Sequence, residues 1–319
     1  MDISIRTRGA GGPEVLEVVP QEPQPPGRGE IRLRQHAVGV NFLDIYHRSG
    51  LYPLPAPGIP GVEAAGVVEA LGPGVEHLQV GDRVAYAGAP GGYASTRLLP
   101  AWRAVRLPED IGFDIAAASM LRGMTAYMLL TLGYPVGAGS TVLVHAAAGG
   151  LGTVLTRWSR HLGATVIGTA GNEAKAALAV AHGADHVIVG RDADVVGEVA
   201  RLTDGRGVDF AIDGIGGDML RRSLRCVRPF GALASIGWVA GPVPPVEVQE
   251  LGTVSLAKPS VMAYSADPVC YPDAASAVVE AIRAGIVAGI GGRYRLAEAA
   301  RAHRELEAGA TTGSLLLMP

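Results

Sequence analysis

Val142-Leu143-Val144-His145-Ala146-Ala147-Ala148-Gly149-Gly150-Leu151-Gly152, running on into Thr153-Val154-Leu155, decides the fold. An apolar, β-prone run ends in a turn of small residues and continues as a helix, which is how a dinucleotide pyrophosphate site is built. The three spaced positions are Ala147, Gly149 and Gly152, so alanine stands where the first glycine is usual. The physics survives that change. Gly149 lets backbone approach the pyrophosphate and Gly152 permits close helix–strand packing. The helix N-terminus offers unpaired N–H groups and a partial positive charge. A glycine-rich βα turn with no ligand has the same residues, so the motif takes its weight from the strand before it and the helix after it.

Outward from this turn, from about Gly139 to Val261, β-rich runs alternate with helix-like segments. The pattern predicts strands at Thr141–His145, Thr165–Thr169, His186–Val189, Val208–Ile212, Ala232–Ile236 and near Ser260–Ala263. Helices are predicted over Thr153–Leu162, stopped by Gly163, and Glu173–His182, capped by Asn172 and stopped by Gly183. Two more are expected at Val195–Leu202 and from Asp218 to Val227. Strands joined by crossover helices describe an α/β fold, a doubly wound parallel sheet of Rossmann type.

The first ~120 residues show no sustained helical period before about Ile115. Turn signals recur instead at Gly11-Gly12-Pro13, Pro53 to Pro60, Gly72-Pro73-Gly74 and Gly81-Asp82. Alternation at Glu30–Arg34 and Gly66–Ala70 suggests strands of a small irregular barrel. After Val261 come a helix at Ala274–Ala284, a strand near Gly292–Leu296 and a helix at Leu296–Leu306. The apolar run Ser314–Met318 closes the chain and is expected to return to the first domain.

Composition narrows the function classes. A chain of 319 residues suits two domains. A net charge of −3 gives no basic field for nucleic acid or an anionic membrane. No apolar run of membrane-spanning length and no signal pattern is evident. Cys226 and Cys270 are the only cysteines, far apart and without metal-type spacing, which points to a reducing, cytoplasmic setting.

Several further stretches carry a family likeness: Asn41-Phe42-Leu43-Asp44-Ile45-Tyr46, Arg48-Ser49-Gly50-Leu51-Tyr52-Pro53, Gly61-Val62-Glu63-Ala64-Ala65-Gly66, Gly81-Asp82-Arg83-Val84 and His145 to Gly152. Together they resemble the NADPH-dependent quinone oxidoreductases, the zeta-crystallin-like, zinc-free branch of the medium-chain dehydrogenase/reductase superfamily. The resemblance runs from Gly11 to Leu317. It implies a GroES-like β-barrel catalytic domain, discontinuous over residues 1–122 and 263–319, around a Rossmann domain at 123–262. It also implies a homodimer, NADPH as cofactor and a small-molecule quinone as substrate.

In zinc-dependent members of the superfamily Cys, His and Cys hold the catalytic ion. Those positions fall here on Asn41, Val62 and Leu121, and an amide and two alkyl groups cannot replace thiolate and imidazole. His36, His47 and His77 lack partners at ligand spacing, so no metal site is expected.

The second strand of a Rossmann unit that binds NAD normally ends in Asp or Glu, which accepts from the ribose 2′-OH. Here it ends Thr169-Ala170-Gly171, with Ala170 at the acidic position. The lack of a carboxylate leaves room for a 2′-phosphate, with Lys175 and Arg191 as its cations. Relatives often carry Tyr before that arginine, whereas this chain has Gly190. The cofactor-binding set implied is Ala148, Gly149, Gly150, Leu151, Gly152, Gly171, Lys175, Arg191 and Gly237, with Asn41 and Thr125 positioning the nicotinamide or its ribose. Tyr46 and Tyr52 are expected to line the quinone pocket, offering rings to stack and phenols to donate.

Alternatives remain at residue level: Asn41 as a turn cap, Tyr52 as loop packing, and Asp44 and Glu63 as structural partners of arginines. At the level of function, the alternatives are an NADPH-dependent enone or alkenal reductase and a non-catalytic, crystallin-like NADPH-binding protein.

Overall fold

Glycine and proline turns cut the N-terminal third into short strands, and the computed structural model, which describes residues 1–319, shows how they pair. β1 (Ile3–Thr7) and β2 (Leu16–Pro20) make an antiparallel ribbon. β3 (Glu30–Val40) is the spine of a seven-stranded sheet. Along it Ile31 and Leu33 are fully buried, while Arg32 and Arg34 reach across to Glu69 at 2.8 and 2.9 Å, the two-residue period of a half-buried strand. Seven-residue helix α1 (Phe42–Arg48) follows directly. The sheet is continued by β4 (Glu63–Leu71), β5 (Arg83–Ala87), β6 (Thr96–Pro100) and β7 (Val105–Arg106), all paired antiparallel.

Helix α2 (Phe113–Met128) leads into a π-helical turn at Leu129–Gly133. Beyond it, β8 (Thr141–Val144), α3 (Gly150–His161), β9 (Thr165–Ala170), α4 (Glu173–Ala181) and β10 (His186–Val189) alternate. They are followed by α5 (Val195–Leu202), β11 (Val208–Asp213), α6 (Met219–Cys226), β12 (Val227–Ser235) and β13 (Ser255–Ala257). The six strands are parallel in the order β10-β9-β8-β11-β12-β13, a doubly wound sheet whose order reverses between β8 and β11. Val142–Val144 and all of β11 are buried, as strands covered on both faces must be. Asn172 caps α4, its Oδ1 accepting the Lys175 N–H at 2.9 Å.

The rest of the chain is α7 (Val261–Ala266), α8 (Cys270–Arg283), β14 (Ile290–Arg295), α9 (Ala299–Glu307) and β15 (Ser314–Met318). β15 pairs antiparallel with β3, so the two ends of the sequence share one sheet and the barrel-like domain is discontinuous. Two compact units result: Met1–Met124 with Val261–Pro319, and Thr125–Ser260. Each has its own core, one around Leu33, Val68, Tyr86 and Leu317, the other around Leu143, Ile167, Val199 and Leu233.

Three sequence expectations need correction. The sixth strand is Ser255–Ala257, not Ser260–Ala263: Pro259 interrupts the run, and Val261–Ala266 is helical. A helix, α1, does precede Ile115; seven residues are too few for a period to register. Finally, the segment Phe113–Gly133 is by length and composition apolar enough to cross a membrane, but most of it is buried within the protein, as a core helix is.

The α1 cap anchors a buried network. Asp44, fully buried, accepts from the Asn41 N–H (2.8 Å), the Gly61 N–H (3.2 Å) and the Tyr93 hydroxyl (3.2 Å). Tyr93 Oη meets His303 Nε2 at 2.9 Å, and Arg48 bridges His303 Nδ1 to the Glu307 carboxylate. Asp44 thus has no arginine partner, contrary to expectation. Burial, with a smaller push from Glu63, raises its carboxyl to about 7 against those donors. An unfolded Asp titrates near ~4. The stability contributed by the held proton is therefore full below about pH 4 and is lost as pH rises through 7. The Tm advantage of wild type over Asp44→Asn is expected to shrink between pH 5 and pH 8; an advantage constant across that range would show that Asp44 folds as the anion throughout.

Candidate functional site

The turn after β8 is held in a costly shape. Ala146 has φ +50°, a left-handed conformation that costs an L-residue ~1–2 kcal/mol. Its carbonyl accepts the Gly149 N–H at 2.8 Å. A side chain on Gly152 would overlap that same carbonyl, so Gly152 lets α3 close onto the strand end. Ala147, at the place of the first glycine, is fully buried and points its methyl at Gly168 on β9. The glycine missing from the motif is thus supplied by the neighbouring strand. Gly149 is the N-cap of α3 and has no side chain, so the first-turn amides of Gly150, Leu151 and Gly152 have no side-chain cap. With the partly exposed Gly149 and Gly150 beside buried Ala148, this is a donor-rich helix N-terminus of the kind that takes an anion such as a pyrophosphate.

One strand away, β9 ends at Ala170, and no carboxylate follows before Glu173 in the first turn of α4. A Cβ on Gly171 would lie 3.9 Å from both Cγ and Nε of Arg191, so the exposed arginine arches over this strand end. Lys175, half-buried, stands in the first turn of α4. Arg191 thus lies over Gly171, and Lys175 stands four residues further on in the next helix, two cations of the kind a phosphate on a ribose requires. Gly190 has φ +112° and gives its N–H to the Ala170 carbonyl at 2.9 Å. That conformation suits glycine and would strain a tyrosine. Thr125 is buried on α2, and Gly237 is buried just past β12 against the Gly214 carbonyl.

In the other unit Asn41 is held from both ends. Its N–H goes to Asp44, and its Nδ2 donates to Glu63 Oε1 at 2.8 Å. Glu63 also accepts from the Leu121 N–H (2.6 Å) and Arg122 Nη1 (3.0 Å). Asn41 is also the N-cap of α1, its side chain and that of Asp44 forming a capping box, while Nδ2 retains a second proton. Burial raises the Glu63 carboxyl, opposed first by Arg122 and then by Asn41. Tyr46 and Tyr52, both half-buried, form an edge-to-face pair with ring centroids 5.6 Å apart, fixed by the Tyr52 N–H on the Tyr46 carbonyl. Val62 is fully buried and Leu121 nearly so, and no group of three or more His, Cys, Asp or Glu side chains is placed to hold a metal ion. Cys226 is buried, its thiol pushed up to about 12 by that burial.

Sequence reasoning missed the residues that hold others in place. Arg122 has no local signature, and its pairing with Glu63 spans 59 positions. Thr169, whose hydroxyl and carbonyl take the Ala146 and Ala147 amides, reads only as a strand residue.

Two family models match, one described as alcohol dehydrogenase GroES-like domain over residues 27–109 and one as zinc-binding dehydrogenase over 150–281. A quinone oxidoreductase of Pseudomonas aeruginosa is 44% identical over 317 residues, 97% of each chain. A 2-haloacrylate reductase of a Burkholderia species is 40% identical over 97% of this chain and 96% of its own. The solved structure of Escherichia coli quinone oxidoreductase complexed with NADPH superposes with a TM-score of 0.95 at 39% identity, covering 99% of this chain and 100% of that one. Taken with the Rossmann sheet and the discontinuous barrel, these similarities show that the chain belongs to the quinone oxidoreductase family of the medium-chain dehydrogenase/reductases.

Proposed function

We propose that the protein reduces a quinone with hydride from NADPH and does so without a metal ion. The observation that carries this is the end of β9. Arg191 lies over Gly171 there, with Lys175 following in the first turn of α4, where an NAD enzyme would place a carboxylate, beside a turn with an uncapped helix N-terminus. The family relatives named above support the same reading.

Bound NADPH supplies a hydride from its nicotinamide C4, and a quinone is electrophilic enough to accept it without a Lewis acid. The chain's own residues bind, orient and donate. The amides of Ala148, Gly150, Leu151 and Gly152 face the pyrophosphate, while Lys175 and Arg191 face the 2′-phosphate. Asn41 and Thr125 position the nicotinamide or its ribose, and Gly237 brings backbone near it. Tyr46 and Tyr52, paired edge to face, line the quinone pocket, offering a ring to stack on the quinone and phenols to donate to its developing oxyanion. In this reading residues 123–262 are the nucleotide domain and 1–122 with 263–319 the catalytic one. The enzyme is a cytoplasmic homodimer. Asn41, Val62 and Leu121 offer no thiolate or imidazole, which supports metal-free chemistry.

A second reading, reduction of an activated C=C, is favoured by the 40% identity to a 2-haloacrylate reductase. Product analysis separates the two: hydroquinone from one, a saturated acid or carbonyl compound from the other.

The first test is anaerobic NADPH oxidation against a panel of quinones by chelator-treated protein, with NADH as control. Turnover is expected to survive chelation; activity that returned only on adding zinc would sink the metal-free mechanism. The second replaces Lys175 and Arg191 with Ala. Each change is expected to raise KM for NADPH by roughly tenfold, the value of one charge-assisted contact, and to leave KM for NADH unmoved. Equal effects on both nucleotides would remove these side chains from the 2′-phosphate.

A further inference from the structure

We infer that Asp213, Ser223, His145 and Thr169 form a hydrogen-bond chain of fixed direction that shapes the pyrophosphate-binding turn, making His145 and Thr169 positioning residues for the cofactor. The inference rests on NADPH being that cofactor.

The chain lies where the sheet order reverses, with His145 following β8, Asp213 ending β11, Thr169 on β9 and Ser223 on α6. Its direction follows from counting protons. Asp213 Oδ1 accepts the N–H groups of Ile215 (2.8 Å) and Gly216 (3.0 Å), and Oδ2 accepts the Ser223 hydroxyl at 2.8 Å. Ser223 has one proton and has given it to Asp213. Its Oγ can meet His145 Nε2, 2.8 Å away, only as an acceptor, which fixes the Nε2–H tautomer. Nδ1 then bears a lone pair and takes the Thr169 hydroxyl proton at 3.2 Å. With that proton committed, Thr169 Oγ1 turns lone pairs toward the Ala146 N–H, also at 3.2 Å.

The far end of the chain is the left-handed residue of the turn. Thr169 secures two successive amides, Ala146 through its hydroxyl and Ala147 through its carbonyl at 3.0 Å. A threonine free to rotate would also offer its proton in other directions; His145 removes that freedom. The near end matters as well. The Asp213 carboxylate fixes the turn after β11, and its backbone carbonyl takes the Ile236 N–H at 2.8 Å, ahead of Gly237. One network therefore links the turns after β8, β11 and β12.

Asp213 and Ser223 are fully buried and His145 nearly so. Burial holds the imidazole below its ordinary range; Asp213 opposes this and Arg222 adds to it, so the ring is neutral, as the chain requires.

The test uses full-length Thr169→Val, Thr169→Ser and Ser223→Ala. It reads NADPH dissociation constants by fluorescence titration, steady-state kinetics, and hydrogen exchange of the turn amides in nucleotide-free protein. Thr169→Val is expected to weaken NADPH binding by roughly tenfold, the value of one directed hydrogen bond, and to speed exchange at Ala146. Thr169→Ser restores both. The kinetic loss falls on KM for NADPH rather than on kcat. Ser223→Ala, which frees the imidazole without touching the turn, shifts both readouts the same way by several-fold, and it keeps the test alive should the valine variant not fold. If wild type binds NADPH and Thr169→Val binds it as tightly, or serine fails to restore a loss, the inference is overturned alone. A wild type that binds no NADPH overturns the cofactor assignment, and this inference with it.

Discussion

A carboxylate sealed from water must find its donors inside the protein, and the barrel unit is arranged around the one at Glu63. Its two oxygens collect the Asn41 amide, the Leu121 N–H and the Arg122 guanidinium. Arg122 in turn donates to the Val40 and Ala118 carbonyls. The end of β3, the start of β4 and the middle of α2 are thereby fixed at one point. The value of such a cluster lies less in its attraction than in the cost of incompleteness. Removing one partner strands a buried charge at a cost of about 3–5 kcal/mol. Asn41, proposed to position the nicotinamide or its ribose, inherits this rigidity.

The nucleotide unit solves a comparable problem with backbone rather than charge. A strand must turn sharply into a helix while leaving that helix's first amides for an anion, and the turn is made by a left-handed alanine. Its conformation persists because neighbours over-determine it. Gly152 leaves space for its carbonyl, Gly168 leaves space for the next methyl, and Thr169 takes two of its amides. Strain held by surrounding structure is common at ligand sites, where a preformed shape spares the ligand the cost of forming it.

The elements legible in sequence were those with a strong local signature. Asn172 before Glu173 and Gly183 after His182 bracket α4 because caps and stops act within a few residues. The strands around Val142–Val144 and Val208–Ile212 declare themselves by apolar runs bounded by turns. What was illegible had a tertiary cause. The last strand of the parallel sheet is only Ser255–Ala257, too short to signal itself, and exists because β12 offers it an edge. Helix α1 is capped by Asp44, whose carboxyl also takes the hydroxyl of a tyrosine 49 positions away.

The sequence by itself determined the Rossmann unit, its glycine-cornered turn, the absence of an acidic residue at Ala170 and the lack of metal-type side chains at Asn41, Val62 and Leu121. Those are statements about residue types at short spacing, where local physics decides. Only the tertiary structure decided that Arg191 lies over Gly171, that Glu63 orients Asn41, that Tyr46 and Tyr52 meet edge to face, and that Asp213 reaches Ala146 through three side chains. Most of those contacts join residues distant in the chain, and even the Tyr46–Tyr52 geometry is set by how the turn between them folds. They are fixed by the packing of strands and helices, which no short stretch of sequence specifies alone.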